Sequence, residues 1–124
     1  MKTLLILFGK LMVKILKLLG KNAGNLPGCV LWTLTKHRCV SLFTVDCPII
    51  AVTGTNGKTS VTNYVAQLFE KTGANIITNH SGNNLDTGIC SLLLQNCDWR
   101  GNVKADYLIL ETDESHVPVA YSQL

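Results

Sequence analysis

The chain has 124 residues, of which 47% are hydrophobic, so it can form at most one small domain. Its net charge of +3 comes from the amino-terminal end, because the first 40 residues hold seven of the eleven Lys and Arg residues and none of the eight acids. The cysteines number five and contain no C-x-x-C pair, which indicates neither a zinc site nor a disulfide framework. We therefore expect reduced, mostly buried thiols in a cytoplasmic protein; they are Cys29, Cys39, Cys47, Cys90 and Cys97.

Residues 1–21 predict a basic amphipathic helix over residues 4–20. Four lysines, spaced four, three and four residues apart, form one stripe of this helix: Lys10, Lys14, Lys17 and Lys21. These lysines interrupt the apolar run, which argues against a cleaved signal peptide and against a membrane-spanning helix. Two interpretations stay open: peripheral binding to the inner face of the plasma membrane, or packing on the rest of the protein. Nucleic acid is not expected as a partner, because the basic segment is apolar and lacks interleaved aromatic residues.

A turn-rich linker is predicted over residues 21–28, and a short helix over about residues 29–38 follows it. The next segment, up to residue 47, has no clear pattern. We divide the chain into an N-terminal helical segment, residues 1–47, and part of an α/β domain, residues 48–124.

A glycine loop between a strand and a helix is the most informative motif. An apolar strand over residues 49–53 precedes it, and an amphipathic helix that ends before Gly73 follows it. The loop is Gly54, Thr55, Asn56, Gly57, Lys58, Thr59 and Ser60. Its glycines let the backbone approach a phosphate, Lys58 adds a positive charge, and the Thr59 hydroxyl is placed to bind Mg²⁺. A plain glycine turn is the alternative, which the flanking strand and helix disfavour.

Two further strands are predicted at residues 75–78 and 106–111. Between them lie a helix that begins at Leu85 and ends near Asn96, and a surface turn over residues 98–102. Three strands separated by helices predict a parallel sheet with flanking helices. His80, in the loop after the second of these strands, is interpreted as solvated rather than catalytic.

The last predicted strand ends in a carboxylate, Glu111. Because ligands of parallel α/β sheets bind beyond the carboxyl ends of the strands, Glu111 is predicted to lie beside the loop and to bind Mg²⁺. The alternative is a solvated acidic loop. Asp113 and Glu114 stay open between a supporting role at the metal and plain solvation.

The loop also departs from the common P-loop, because Val52 stands where that pattern has its first glycine. The shorter string GTNGKTS resembles the ATP loop of the Mur ligase and folylpolyglutamate synthase superfamily, whose enzymes make amide bonds through an acyl-phosphate. From about Lys10 to Pro118, other strings resemble the MurT subunits of lipid II isoglutaminyl synthases. They are Leu26-Pro27-Gly28, IITNHSGNNL at 76–85, Gly88-Ile89 and ETDESHVP at 111–118.

The resemblance implies a Mur-ligase-type P-loop ATPase domain and an ATP-dependent amide-forming ligase of peptidoglycan biosynthesis. Such a subunit amidates the D-glutamate α-carboxyl of the lipid II stem peptide to D-isoglutamine, with ammonia from a GatD-type glutaminase partner. It implies triphosphate contacts from Gly54, Asn56, Gly57 and the catalytic Lys58, and Mg²⁺ contacts from Thr59 and Glu111. Two alternatives stay open: another Mur ligase or folylpolyglutamate synthase-like ligase, and a non-catalytic nucleotide-binding module at a membrane surface.

MurT subunits are longer than this chain, so the resemblance implies an N-terminal fragment cut inside the ATPase domain. Their zinc ribbon and C-terminal domain would follow downstream, and no cysteine of this chain is expected to bind zinc. We expect the isolated chain to be poorly soluble, because its sheet would keep an uncovered edge. We also expect it to be inactive as a ligase, because the acceptor and partner surfaces would lie downstream.

Overall fold

The computed structural model describes residues 1–21, 24–79 and 86–115. The helices are α1 Lys2–Leu18, α2 Leu26–Leu34, α3 Lys58–Glu70 and α4 Asp86–Asn96, with a 3₁₀ turn at Cys39–Leu42. The strands are β1 Thr44–Val45, β2 Ile49–Val52, β3 Ile76–Thr78, β4 Asn102–Val103 and β5 Tyr107–Glu111.

A parallel three-stranded sheet in the order β2-β5-β3 forms the centre of the α/β part. Its middle strand, β5, is apolar and fully buried from Leu108 to Leu110, as expected for a parallel strand covered on both faces. Helix α3 connects β2 to β3 and packs against the sheet. The predicted parallel α/β architecture is therefore confirmed.

The prediction of only three strands was wrong. A second parallel pair exists, in which Thr44 of β1 lies opposite Asn102 of β4, and Val45 opposite Val103. Two-residue strands are too short to show any alternation of apolar and polar side chains, so the sequence pattern could not reveal them.

The second helix was predicted too far along the chain, since α2 occupies Leu26–Leu34. It begins earlier because Pro27 stands in its first turn, where the missing N–H and the fixed φ of proline suit a helix start. It ends earlier because Lys36 and His37 have φ of 50° and 69°, which a right-handed helix does not allow.

The N-terminal helices share one core with the α/β part. Helix α1 buries Ile6, Gly9 and Val13 and contacts α2 and α4, while α2 packs closely along α4. The buried cluster joins Leu31 of α2 to side chains of α4 and β5. No helix within the described residues is long and apolar enough to cross a membrane. The division of the chain between residues 47 and 48 stays a prediction.

Close contact between α2 and α4 depends on Gly28, because a Cβ at this position would overlap the carbonyl oxygen of Thr87. We expect Gly28→Ala to lower the free energy of unfolding by about 1–3 kcal/mol, the usual cost of overpacking. The shift of the urea midpoint, followed by circular dichroism, measures it. Cys29→Ala is the matched control at the neighbouring, exposed position of the same helix. Equal midpoints for both variants would contradict this account of the contact.

Candidate functional site

The loop between β2 and α3 has the backbone geometry that its glycines permit. Gly54 has a φ of 147° and Gly57 a φ of 75°, both in the region that residues with a Cβ rarely adopt. Gly57 is the N-cap of α3, so the helix begins at Lys58 directly after the left-handed turn. The first-turn N–H groups of a helix have no partner within it, which makes this end suited to an anion.

A cavity of about 330 Å³ lies over this helix end. It is lined by Thr55, Asn56, Gly57, Lys58, Thr59, Ser60 and Glu111. Six of the seven predicted loop residues thus line one cavity together with the predicted metal ligand, while Gly54 is not among the lining residues. Parallel pairing explains the convergence, because Val52 at the end of β2 lies opposite Glu111 at the end of β5.

The two predicted magnesium ligands touch each other. The Thr59 hydroxyl donates a hydrogen bond of 2.8 Å to Oε2 of Glu111, although 52 positions separate the two residues. The Glu111 residue is only 4% exposed, so its carboxylate lies at the inner wall of the cavity. A hydroxyl and a carboxylate are both hard oxygen donors, the type that Mg²⁺ prefers. The chemistry of this donor set therefore fits a magnesium ion, which Thr59 and Glu111 would hold.

Lys58 forms an ion pair across the cavity mouth. Its Nζ lies 2.8 Å from Oδ1 of Asp113, and the two side chains are 17% and 38% exposed. The hydrogen bond to Asp113 raises the pKa of Lys58, and the charges of Asp113, Glu111 and Glu114 act in the same direction. Lys58 therefore stays cationic at neutral pH.

The structure refines the sequence-based account of two residues. The sequence placed Lys58 in the glycine loop, but it is the first residue of α3 and is partly shielded. Asp113, for which the sequence left a supporting role and plain solvation open, is the ionic partner of Lys58. Glu114 is exposed to solvent.

The sequence did not reveal that a buried asparagine holds Glu111 in place. The Asn79 Nδ2 group donates to the Glu111 carbonyl oxygen, and the Glu111 N–H donates to Asn79 Oδ1, each at 2.8 Å. This side-chain amide continues the β3–β5 pairing beyond Thr78. On the other side, the Thr112 N–H donates to the Val52 carbonyl at 3.0 Å. The sequence did contain a signal for this contact: Asn79 directly follows one strand, and the neighbouring strand ends in the carboxylate of Glu111.

Other predicted features lie away from the site or outside the described residues. His80, residues 81–85 and the segment from residue 116 onward belong to the second group. Three of the cysteines are buried, as expected: Cys39, Cys90 and Cys97. A hydrogen bond with Cys39, together with burial, raises the pKa of the Cys90 thiol, so it stays protonated.

Comparison with known proteins gives consistent matches. The Mur ligase middle domain family model matches residues 52–123. The lipid II isoglutaminyl synthase (glutamine-hydrolyzing) subunit MurT of Staphylococcus aureus (strain COL) is 28% identical over 109 residues, covering 88% of this chain and 24% of the relative. The corresponding subunit of Streptococcus pneumoniae (strain ATCC BAA-255 / R6) is 36% identical over 92 residues, covering 74% and 20%.

A third relative is named for a different ligase activity. The UDP-N-acetylmuramoylalanine–D-glutamate ligase of Marinobacter nauticus is 43% identical over 53 residues, which cover 43% of this chain and 11% of that protein. The chain spans about a quarter of the length of the first MurT relative that it matches, since the match covers 24% of that protein. No solved structure matches the chain.

Asn79→Ala would leave the buried N–H and carbonyl groups of Glu111 without their side-chain partner. We expect a loss of about 1–3 kcal/mol in the free energy of unfolding, the cost of leaving buried polar groups unsatisfied. Chemical denaturation measures it. Asn96→Ala is the matched control, because Asn96 also donates its amide to a backbone carbonyl, that of Leu92, but at an exposed position. If the Asn79 variant were as stable as the control, the hydrogen bonds between Asn79 and Glu111 would not contribute to the stability of the fold.

Proposed function

We propose that this chain, which belongs to the Mur ligase family of ligases, binds ATP and Mg²⁺ for amide-bond formation. Its membership follows from the match of the family's middle domain to residues 52–123. The observation that carries this proposal is the cavity in which the glycine loop, Lys58 and the Thr59–Glu111 pair converge. Each part suits one feature of a magnesium–triphosphate: backbone N–H groups for phosphate oxygens, a cation for charge, and hard oxygens for the metal.

The roles of the chain's own residues follow from their positions. The loop from Gly54 to Ser60 would hold the triphosphate, and Lys58 would balance the negative charge that builds up on the transferred phosphoryl group. Thr59 and Glu111 would hold Mg²⁺, with Asn79 holding the backbone of Glu111 in place. When bound, ATP would supply the phosphoryl group that turns an unreactive carboxylate into an electrophile.

The Lys58–Asp113 pair adds a condition for binding. Asp113 holds the ammonium group at the cavity mouth, within reach of an entering phosphate. A triphosphate carries several negative charges, so it would compete with the single carboxylate for Lys58. Asp113 would therefore keep the lysine oriented until the nucleotide enters.

For the reaction itself we propose the MurT activity. The whole protein would amidate the D-glutamate α-carboxyl of the lipid II stem peptide to D-isoglutamine, through an acyl-phosphate and with ammonia from a GatD-type glutaminase partner. Two relatives that are named as MurT subunits of glutamine-hydrolyzing lipid II isoglutaminyl synthases support this choice, because their similarity covers 88% and 74% of the chain.

A second candidate is a Mur ligase that adds an amino acid, supported by the Marinobacter relative over 53 residues. The two candidates differ in the nucleophile that attacks the activated carboxylate. Ammonia-dependent amidation of lipid II favours the first, and transfer of a free amino acid to a nucleotide-linked precursor favours the second. Assaying the longest natural chain that carries this sequence, with each nucleophile in turn, distinguishes them.

Lys58→Ala should remove the cation that faces the cavity. We expect nucleotide binding to weaken by about ten- to a hundredfold, the worth of a charged hydrogen bond, and amidation to collapse. Stability should change little, because the ion pair is partly exposed to solvent. Isothermal titration with a non-hydrolysable ATP analogue measures the affinity, and Lys71→Ala, at an exposed site after the same helix, is the control. Ordinary ATP turnover by the Lys58 variant would refute the role of this loop.

Glu111→Gln keeps the shape of the side chain and removes its charge. If this carboxylate holds the metal, the magnesium concentration for half-maximal activity should rise by at least about tenfold. A magnesium titration of ATP turnover measures the change. Glu114→Gln, three positions further on and exposed, is the control for lost negative charge. An unchanged titration in the Glu111 variant would assign this residue a structural role instead.

A further inference from the structure

Helix α1 is apolar on two opposite sides. One side packs on the protein through Ile6, Gly9 and Val13. The other side consists of apolar residues that are between 47% and 79% exposed: Leu4, Leu7, Phe8, Leu11, Ile15, Leu18 and Leu19. At 3.6 residues per turn these seven lie on one arc of about 120°, facing away from the packed side. We call them the exposed α1 face. A surface helix ordinarily turns polar residues to solvent, so this arrangement needs a partner.

A stripe of positive charge borders the exposed α1 face. Lys10, Lys14 and Lys17 fall on one flank of the helix, between its packed and exposed sides, and Lys21 follows the end of the helix. Three of them line a cleft of about 280 Å³ between α1 and α4, with Val13, Leu94 and Gln95 completing the lining.

This charge is not neutralised within the described residues. The Lys10 ammonium donates to the Cys97 carbonyl oxygen, while Lys14, Lys17 and Lys21 are exposed, and none of the four forms an ion pair with a described residue. The chain has no acid before position 46. Asp98, at the end of α4, is bonded to the backbone of Arg100 and Asn102.

We propose that α1 docks on an anionic membrane surface, with the exposed α1 face in the acyl boundary and the lysine stripe at the headgroup phosphates. The inference goes beyond the nucleotide site and is independent of it. An amphipathic helix lying in the interface buries its apolar face among lipids, and neighbouring lysines add attraction to anionic headgroups. At 17 residues, α1 suits this orientation along the surface.

Charge complementarity favours an anionic lipid surface over a second copy of the chain as the partner of the exposed α1 face. Two copies joined through the exposed α1 face would bring their lysine stripes together, since the stripe runs along the border of that face. Like charges at such an interface oppose association. An anionic lipid surface instead matches the apolar face and the cations at once.

The test uses vesicle flotation with the longest natural chain that carries this sequence. Vesicles of phosphatidylcholine alone are compared with vesicles containing about a third phosphatidylglycerol, at low and high salt. One variant replaces exposed apolar residues: Phe8→Ser, Leu11→Ser and Ile15→Ser. A second removes charge: Lys14→Gln, Lys17→Gln and Lys21→Gln. Circular dichroism checks that each variant is folded.

Matched controls change the same number of exposed residues elsewhere. For the apolar variant they are Val61→Ser, Tyr64→Ser and Leu68→Ser on α3, all exposed. For the charge variant they are Lys36→Gln, Lys71→Gln and Lys104→Gln, also exposed. Both control proteins should bind anionic vesicles like the parent chain.

The proposal expects binding to anionic vesicles that the serine variant weakens by at least about tenfold. The glutamine variant should weaken it by about a hundredfold and remove its dependence on salt and on phosphatidylglycerol. Three results would overturn the proposal. The first is that the parent chain does not bind vesicles, and the second is that both variants still bind them. The third is that the serine variant changes only the oligomeric state or the stability of the protein, which would assign the exposed α1 face to a second copy or to the rest of a longer protein.

Discussion

The central position of β5 between β2 and β3 is the constraint on which the rest of the structure depends. Both neighbours run parallel to β5, so the carboxyl ends of all three strands reach the same edge of the sheet. This pairing places Val52, and with it the start of the glycine loop, beside Glu111. A shift by one residue would turn the Glu111 side chain to the opposite face of the sheet, because strand side chains alternate. The site exists only in the observed register.

One hydrogen bond and one ion pair hold the charged groups of the site. The Glu111 carboxylate is buried and accepts a hydroxyl hydrogen bond from Thr59, while the Lys58 ammonium is paired with Asp113. Burying a carboxylate is costly unless cations or donors compensate it. The positive charge of Lys58 nearby and the position of the helix end reduce that cost, and a bound divalent cation would reduce it further. The arrangement therefore suits the metal and the anion that the proposed function requires.

The helical layer connects this sheet to the exposed apolar side of α1. Helix α4 is buried on several sides by α1, α2 and the core around β5, so the N-terminal helices complete the hydrophobic core that the sheet alone would leave open. Close packing at Gly9 and Gly28 brings the helix backbones near their neighbours. Since α1 uses one side for this packing, its other apolar side is left at the surface beside the lysine stripe.

The sequence by itself determined the features that depend on neighbouring residues. The strand, glycine loop and helix around Lys58 were predictable because apolar periodicity and glycine conformation are local properties. The position of Glu111 beside the loop also followed, since the carboxyl ends of parallel strands share one edge. The lysine stripe of α1 needed only the helical repeat.

Only the tertiary structure decided which distant residues meet. Lys58 and Asp113 are separated by 55 positions, and Asn79 and Glu111 by 32, so no local pattern specifies either contact. The β1–β4 pair consists of two-residue strands that acquire their structure from each other. Which side of α1 packs and which stays exposed was equally undetermined, because apolar residues lie on both sides and only the contacts with α2 and α4 choose between them.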